Sequence, residues 1–264
     1  MSGFRFGFGF GFGRRRSPAV PAGPAAETTA LVARMTTPPS AGRQTLIDNC
    51  IKALKTAGVW SKLDALYFMA AADAQAAALN WKDSTYNLTF GAATTFTADQ
   101  GVLTLSGTNG EIDTGFNPST APTPLFTLNS ASMGFTSRTD AQSAGYDMGI
   151  AATLLVNSRT TADLFAARLN DGTLGTVANT SSVGFFSISR VASNNKRYFK
   201  DGALVLNNAN VSTALGAANI TIGIANTLRA ARQYSMAFIG SGLSDAEMLA
   251  LHNAAASYRT GVGA

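Results

Sequence analysis

The sequence predicts a mainly β protein: an antiparallel β-sandwich preceded by a short helical segment and closed by a C-terminal helix. Three observations carry this. From about Leu79 to Gly240 the chain is a series of short runs rich in β-branched and aromatic residues, among them Gly101–Leu105, Phe185–Val191, Arg197–Lys200 and Ile220–Ile224. Turn chemistry separates them. Asn109-Gly110, Asn170-Asp171-Gly172 and Asp201-Gly202 supply the residues that tolerate the positive φ of tight hairpins. No helical pattern interrupts this stretch, which argues for an antiparallel sandwich.

Along the chain, residues 1–26 stand apart. Phe4, Phe6, Phe8, Phe10 and Phe12 alternate with glycine or arginine, and Arg14, Arg15 and Arg16 close the run. In extended backbone, side chains at every second position share one face, so this segment presents five phenyl rings on one side. Two states fit it: a flexible tail in the isolated protein, and a docking strand that orders on a partner by pairing with a sheet edge or filling pockets. The Pro- and Ala-rich residues 17–26 read as a semi-extended spacer.

Residues 27–62 read as a helical connector. Leu46, Ile47, Cys50, Ile51 and Leu54 recur at helical spacing, with Pro38-Pro39 before them and Gly58 as a C-terminal stop. Cys50 lies on the apolar stripe, as a core residue does. Ser61–Asp64 is expected to start another helix or form a capped turn. Residues 63–264 are assigned to the sandwich with its closing helix. In that helix Ser244 is the N-cap, Glu247 completes a capping box, and Leu243 and Met248 form a hydrophobic staple. Met248, Leu251, Ala255 and Tyr258 supply the stripe that packs on the sheet.

Composition narrows function. Charged residues make up 13% of the chain, about half the usual fraction of roughly 25%, so the surface is largely Ser, Thr, Asn, Gln, Gly and Ala. Such a surface suits crowded assembly or extracellular exposure. The net charge of +5 raises nucleic-acid or membrane binding, but four of the 20 basic residues (Arg5, Arg14, Arg15, Arg16) precede the first acid, Glu27. The other 16 nearly balance the 15 acids, so the sandwich is close to neutral and neither partner is expected. No apolar run approaches the ~18 residues of a membrane span, and the N-terminus does not read as a secretory signal.

One cysteine and one histidine exclude an internal disulfide and a Cys- or His-based metal cluster. His252 has no nucleophile pattern near it and is expected at the edge of the helix stripe. Glu111-Ile112-Asp113 resembles the start of the Glu-x-Asp-x-Glu strand of laminarinase-type glycoside hydrolases, but Gly115 stands where the third acid would be. Glycoside cleavage needs a pair of carboxylates in defined roles, so no catalytic residue is assigned. Asp147, Asn170 and Asp171 form no calcium loop and read as turn formers. GFGFGFG lacks the lysine and the strand-to-helix context of a phosphate loop, so no cofactor is expected. A sugar site needs an aromatic platform beside Asp or Asn; the aromatic candidates are Trp81, Tyr86, Tyr146 and Tyr198, each of which reads first as a core or strand-face packing residue, and Trp81, Tyr146 and Asp147 are the candidate glycan contacts.

Residues 63–89 (LDALYFMAAADAQAAALNWKDSTYNLT), 96–120 and 128–140, together with the FFSISRVASNNKRYFKDGALV hairpin and the AFIGSGLSDAEMLALHNAAASYRTGVGA ending, resemble the laminin-G or concanavalin A-like jelly-roll domain of bacteriophage and prophage virion proteins. The likeness covers roughly residues 40–264. It implies a non-enzymatic virion protein, a tail fibre or tail-tip component, with a capsid decoration or head-fibre protein as the alternative. The N-terminal segment would then anchor the chain to other virion proteins through Phe4, Phe6, Phe8, Phe10, Phe12, Arg14, Arg15 and Arg16. The sandwich would face host glycan, in a homo-oligomer that analogy makes a trimer. A polysaccharide depolymerase is disfavoured by Gly115.

Overall fold

The computed structural model describes Met1, Gly3 and residues 23–264 apart from 106, 108, 151 and 226. The anchoring residues expected at Phe4, Phe6, Phe8, Phe10, Phe12, Arg14, Arg15 and Arg16 lie outside the described residues.

Four helices form. α1 spans Ala26–Val32 and α2 Ala41–Thr56. The Ser40 hydroxyl accepts the Arg43 N–H at 3.3 Å and caps α2, whose apolar stripe of Ile47, Cys50, Ile51 and Leu54 is buried. The helix ends where Gly58 takes φ +72°, a conformation that costs glycine little. α3 is the short Ala74–Ala78, and α4 runs from Asp245 to Val262 behind the expected Ser244/Glu247 capping box. Where a helix start or a capped turn was expected at Ser61–Asp64, a single 3-10 turn (Trp60–Lys62) leads directly into a strand.

The strands, in chain order, are β1 (Leu63–Tyr67), β2 (Thr89–Phe90), β3 (Thr95–Thr97), β4 (Gly101–Leu103), β5 (Ile112–Asp113), β6 (Ala131–Ser137), β7 (Met148–Gly149), β8 (Leu154–Asn157) and β9 (Leu164–Leu169). They continue with β10 (Gly175–Ala178), β11 (Gly184–Ala192), β12 (Asn195–Lys200), β13 (Ala203–Asn208), β14 (Thr221–Ile222), β15 (Ile224–Ala225), β16 (Leu228–Arg229) and β17 (Gln233–Gly240). One sheet has the order β13-β12-β11-β6-β17-β4-β3, and β1 also pairs with β17. The facing sheet has the order β10-β9-β8-β7-β14-β5-β2, and β15–β16 form a separate hairpin. Every strand pair is antiparallel. The mainly β antiparallel sandwich is therefore the fold. The β12–β13 turn is Asp201-Gly202, both at positive φ, as hairpin twist requires.

Period-two alternation explains the packing. On β11 Phe186 enters the core between the sheets while Phe185 faces the helices, and on β12 Tyr198 and Phe199 divide the same way. The larger sheet is thus buried on both faces. Leu31 of α1, Ile47, Ile51 and Leu54 of α2, and Met248 and Leu251 of α4 share one core with Leu66, Phe68 and Phe238. Each such side chain is stabilised by about 1.5–3 kcal/mol on leaving water. The segment expected as a connector is a packed third layer.

Candidate functional site

The three expected glycan contacts separate. Trp81 is 2% exposed, its ring 4.3 Å from Phe68 and edge-on to Tyr258 at 5.0 Å between ring centres. That corrects its assignment: the indole belongs to the core beneath α4 and offers no face to a sugar. Asp147 is corrected likewise, being fully buried. Tyr146 is half-buried. The two neighbours part because consecutive side chains of an extended segment point to opposite sides. Of the other aromatic candidates, Tyr198 lies in the core with its hydroxyl donating to Ala167 O at 2.7 Å, and Tyr86 packs edge-on against Phe116.

Three loop segments meet around Tyr146. Its N–H donates to Leu228 O at 3.3 Å, and it bridges to Arg229 at the end of the β15–β16 hairpin. Arg229 in turn forms an ion pair with Glu111, which follows the Asn109-Gly110 turn. The third segment, Ser143–Gly145, is clamped by the Asn157 side-chain amide, which donates to Ser143 O at 3.0 Å and Gly145 O at 2.8 Å. Residue 145 must be glycine, because a Cβ there would collide with the Arg229 carbonyl. Exposed Leu105 and Leu228 flank the segments that meet here.

A buried ion pair supports this rim from below. Asp147 Oδ1 accepts from Arg232 Nε at 2.6 Å and from the Tyr234 hydroxyl at 2.7 Å. Its Oδ2 accepts from the Ser158 N–H at 2.6 Å and the Ser158 hydroxyl at 2.7 Å. Arg232 Nη1 reaches Ala141 O at 2.6 Å and Ser182 Oγ at 2.5 Å. Neither charged side chain has any solvent exposure. Burial, and then the Asp147 charge, pushes the Tyr234 phenol well above its ordinary value, so it stays a hydrogen-bond donor. Carboxylate and guanidinium are consumed in fixing loops.

The remaining chemical candidates are engaged in the same way. Asp171 pairs with Arg190 at 2.6 Å and Lys196 at 2.8 Å, all three fully or almost fully buried, and Asn170 takes φ +59° in the turn before it. Asp113 accepts from Gly115 N–H at 2.8 Å and Asn219 Nδ2 at 3.1 Å. Burial pushes the Cys50 thiol up to about 12, which removes the thiolate a nucleophile needs. His252 lies 5.5 Å from the Phe185 ring, and burial pulls its imidazole below the usual value. Among the described residues no group of three His, Cys, Asp or Glu side chains is placed to hold a metal.

Sequence reasoning missed Arg232, Tyr234, Ser158 and Arg229. A signal was present: Arg232 directly precedes the strand that carries the apolar run Met236–Ile239, where a charge entering the core demands a buried acid.

No protein-family model matches the chain, and no curated protein matches it by sequence. Solved structures do. The chain is similar to the binding domain of Paraclostridial Mosquitocidal Protein 1, with TM-score 0.51 and 12% identity over 74% of this chain and 52% of that one. It is similar to the ligand-binding domain of botulinum neurotoxin serotype D in complex with N-acetylneuraminic acid, with TM-score 0.51 and 13% identity over 76% and 52%. A third is Trypanosoma rangeli sialidase in complex with sialic acid, with TM-score 0.50 and 10% identity over 79% and 38%. The chain spans about half the length of the first two and less of the third. At this identity the likeness establishes the shared β-sandwich fold.

Proposed function

We propose that the protein is a non-enzymatic, lectin-like binding protein of a bacteriophage or prophage virion, a tail-fibre or tail-tip component whose Tyr146 rim contacts host-surface glycan. The observation that carries the glycan reading is the rim itself. Tyr146, a half-buried aromatic residue, bridges through its backbone to Arg229 of the Glu111–Arg229 pair, on loops held by a buried ion pair. A sugar stacks its apolar face on such a ring while charged neighbours bond its hydroxyls. The shared fold with toxin binding domains, one of them in complex with N-acetylneuraminic acid, supports the reading. Engagement of Glu111 and Asp113 in local contacts supports a binding role over hydrolysis. The virion assignment, the trimer and the anchoring role of the N-terminal phenylalanines and arginines rest on the sequence resemblance.

A glycan array comparing the wild type with Tyr146→Ala tests the site. Specific binding lost in the variant is expected. Binding that survives the substitution, an array with no hits, or release of reducing sugar from host polysaccharide overturns it. For the anchor, deleting residues 1–16 is expected to leave a folded domain that no longer enters particles, and normal incorporation refutes that role.

A further inference from the structure

A second concave surface lies on the other side of the larger sheet, where the end of β6, the start of β11 and the last turns of α4 meet. Thr136, Ser137, Arg138, Val183, Gly184 and Arg259 line a cavity of about 230 Å³. Alternation along β6 explains the lining: Met133 and Phe135 enter the core between the sheets, so Thr136 faces α4. Arg138 continues past the strand end, its N–H held by Gln233 O at 2.9 Å, and Arg259 reaches in from the helix.

Two guanidinium groups meet at this cavity. Arg232, Arg190, Lys196, Arg159, Arg229 and Arg197 each pair with a carboxylate, whereas Arg138 and Arg259, like Arg34 and Arg168 elsewhere, form no ion pair among the described residues; Arg138 Nη2 donates to Gln100 Oε1, which leaves its charge uncompensated. Three polar atoms in the lining, Thr136 Oγ1, Arg138 Nε and Arg259 Nε, are buried with no hydrogen-bond partner among the described residues. Thr136 itself is 2% exposed. Buried unpaired donors are costly and rare in native proteins, and two guanidinium groups facing one cavity repel. Burial and then the like charge of Arg138 pull the Arg259 guanidinium below its ordinary value, with Asp201 acting the other way. The Asp201 carboxylate is turned to the Phe185 N–H at 2.8 Å and does not neutralise the pair.

We infer that this cavity is an oxyanion-binding site in which Arg138, Arg259 and Thr136 donate to the oxygens of a sulfate, phosphate or carboxylate group. Guanidinium forks match planar and tetrahedral oxyanions, and Thr136 supplies a third, neutral donor. The volume falls below the ~300–1,000 Å³ of drug-sized ligand pockets, which limits the occupant to a small anion or one acidic sugar residue. The site is separate from the Tyr146 rim and does not depend on it.

Sodium sulfate titrated against chloride at constant ionic strength, read by amide chemical shifts of residues 136–138 and 183–184, tests the inference. Saturable shifts are expected in the wild type. Arg138→Gln, at the strand end, should weaken binding at least tenfold, and Arg259→Gln should do the same if the helix tolerates it. Arg197→Gln, which breaks an exposed pair with Asp245 elsewhere, should leave it unchanged. N-acetylneuraminic acid and its methyl ester distinguish the sources. Competition by the acid alone points to an acidic sugar, and sulfate binding without such competition points to a free oxyanion. No saturable response to either probe, or unchanged affinity in Arg138→Gln, overturns the assignment.

Discussion

Replacing Asp147 by asparagine keeps the shape of the side chain and removes its charge. The Oδ1 position still accepts from Tyr234, but Arg232 then holds a full charge with no solvent exposure and no counter-charge, and the amide NH2 faces the Ser158 N–H that formerly donated to it. Breaking a buried pair in this way costs about 3–5 kcal/mol. Against a typical total of about 5–15 kcal/mol, that is a fifth or more of the stability. At roughly 2–4 °C per kcal/mol for a chain of this size, the melting temperature falls by about 10 °C. Arg232→Met alone leaves the carboxylate stranded and costs a similar amount. The double variant Asp147→Asn/Arg232→Met has no uncompensated charge, so most of the loss returns, and the cycle yields a coupling of about 2 kcal/mol or more. Urea unfolding at pH 7 measures this through the midpoint, with an unchanged slope indicating an intact native state. A cost below about 1 kcal/mol for Asp147→Asn, or additive effects in the double variant, refutes the claim that this pair fixes the rim.

Two further outcomes follow from the same geometry. His252 is the single histidine, and burial depresses its imidazole, with Arg259 acting in the same direction and Asp201 opposing. Below pH ~6.5 the unfolded chain takes up a proton that the folded chain resists, so wild-type stability should fall from about pH 7 toward pH 5 relative to His252→Gln; identical pH profiles of urea midpoints refute the burial argument. Gly145→Ala sets a methyl group against the Arg229 carbonyl, a backbone atom that cannot turn aside. It should cost about 1–3 kcal/mol and reduce glycan binding with it, and a variant as stable as wild type with full binding refutes the packing of the rim.

Much of the fold was legible because local rules agreed with it. The Ser244/Glu247 box, Gly58 after α2 and Asp201-Gly202 in the β12–β13 hairpin each state a backbone requirement that only a few residue types meet. The site was less legible. Asp147 reads as a turn former and Trp81 as either a core aromatic or a sugar platform, and both are interior, because which face of a strand or loop points inward depends on the partner sheet. The third layer escaped for a related reason. An amphipathic helix shows that it has an apolar face to bury, and Leu31, Ile47 and Ile51 could not say that the far side of the larger sheet covers it.

The low charge content takes on a different meaning once the charges are placed. Surface ion pairs contribute little, and buried ones are seldom more stabilising than a well-packed apolar replacement. Asp147–Arg232 and the Asp171–Arg190–Lys196 cluster therefore do not earn their place by stability alone. What they supply is position: each buried charge accepts or donates several bonds of fixed direction to loop backbone, at Ala141, Ser158, Leu169 and Thr173. A loop held that way loses less freedom when a ligand arrives, and that saving appears directly as affinity. By the same reasoning Arg138 and Arg259, two cations facing one cavity with no ion-paired acid, leave there a charge that an anion would complete.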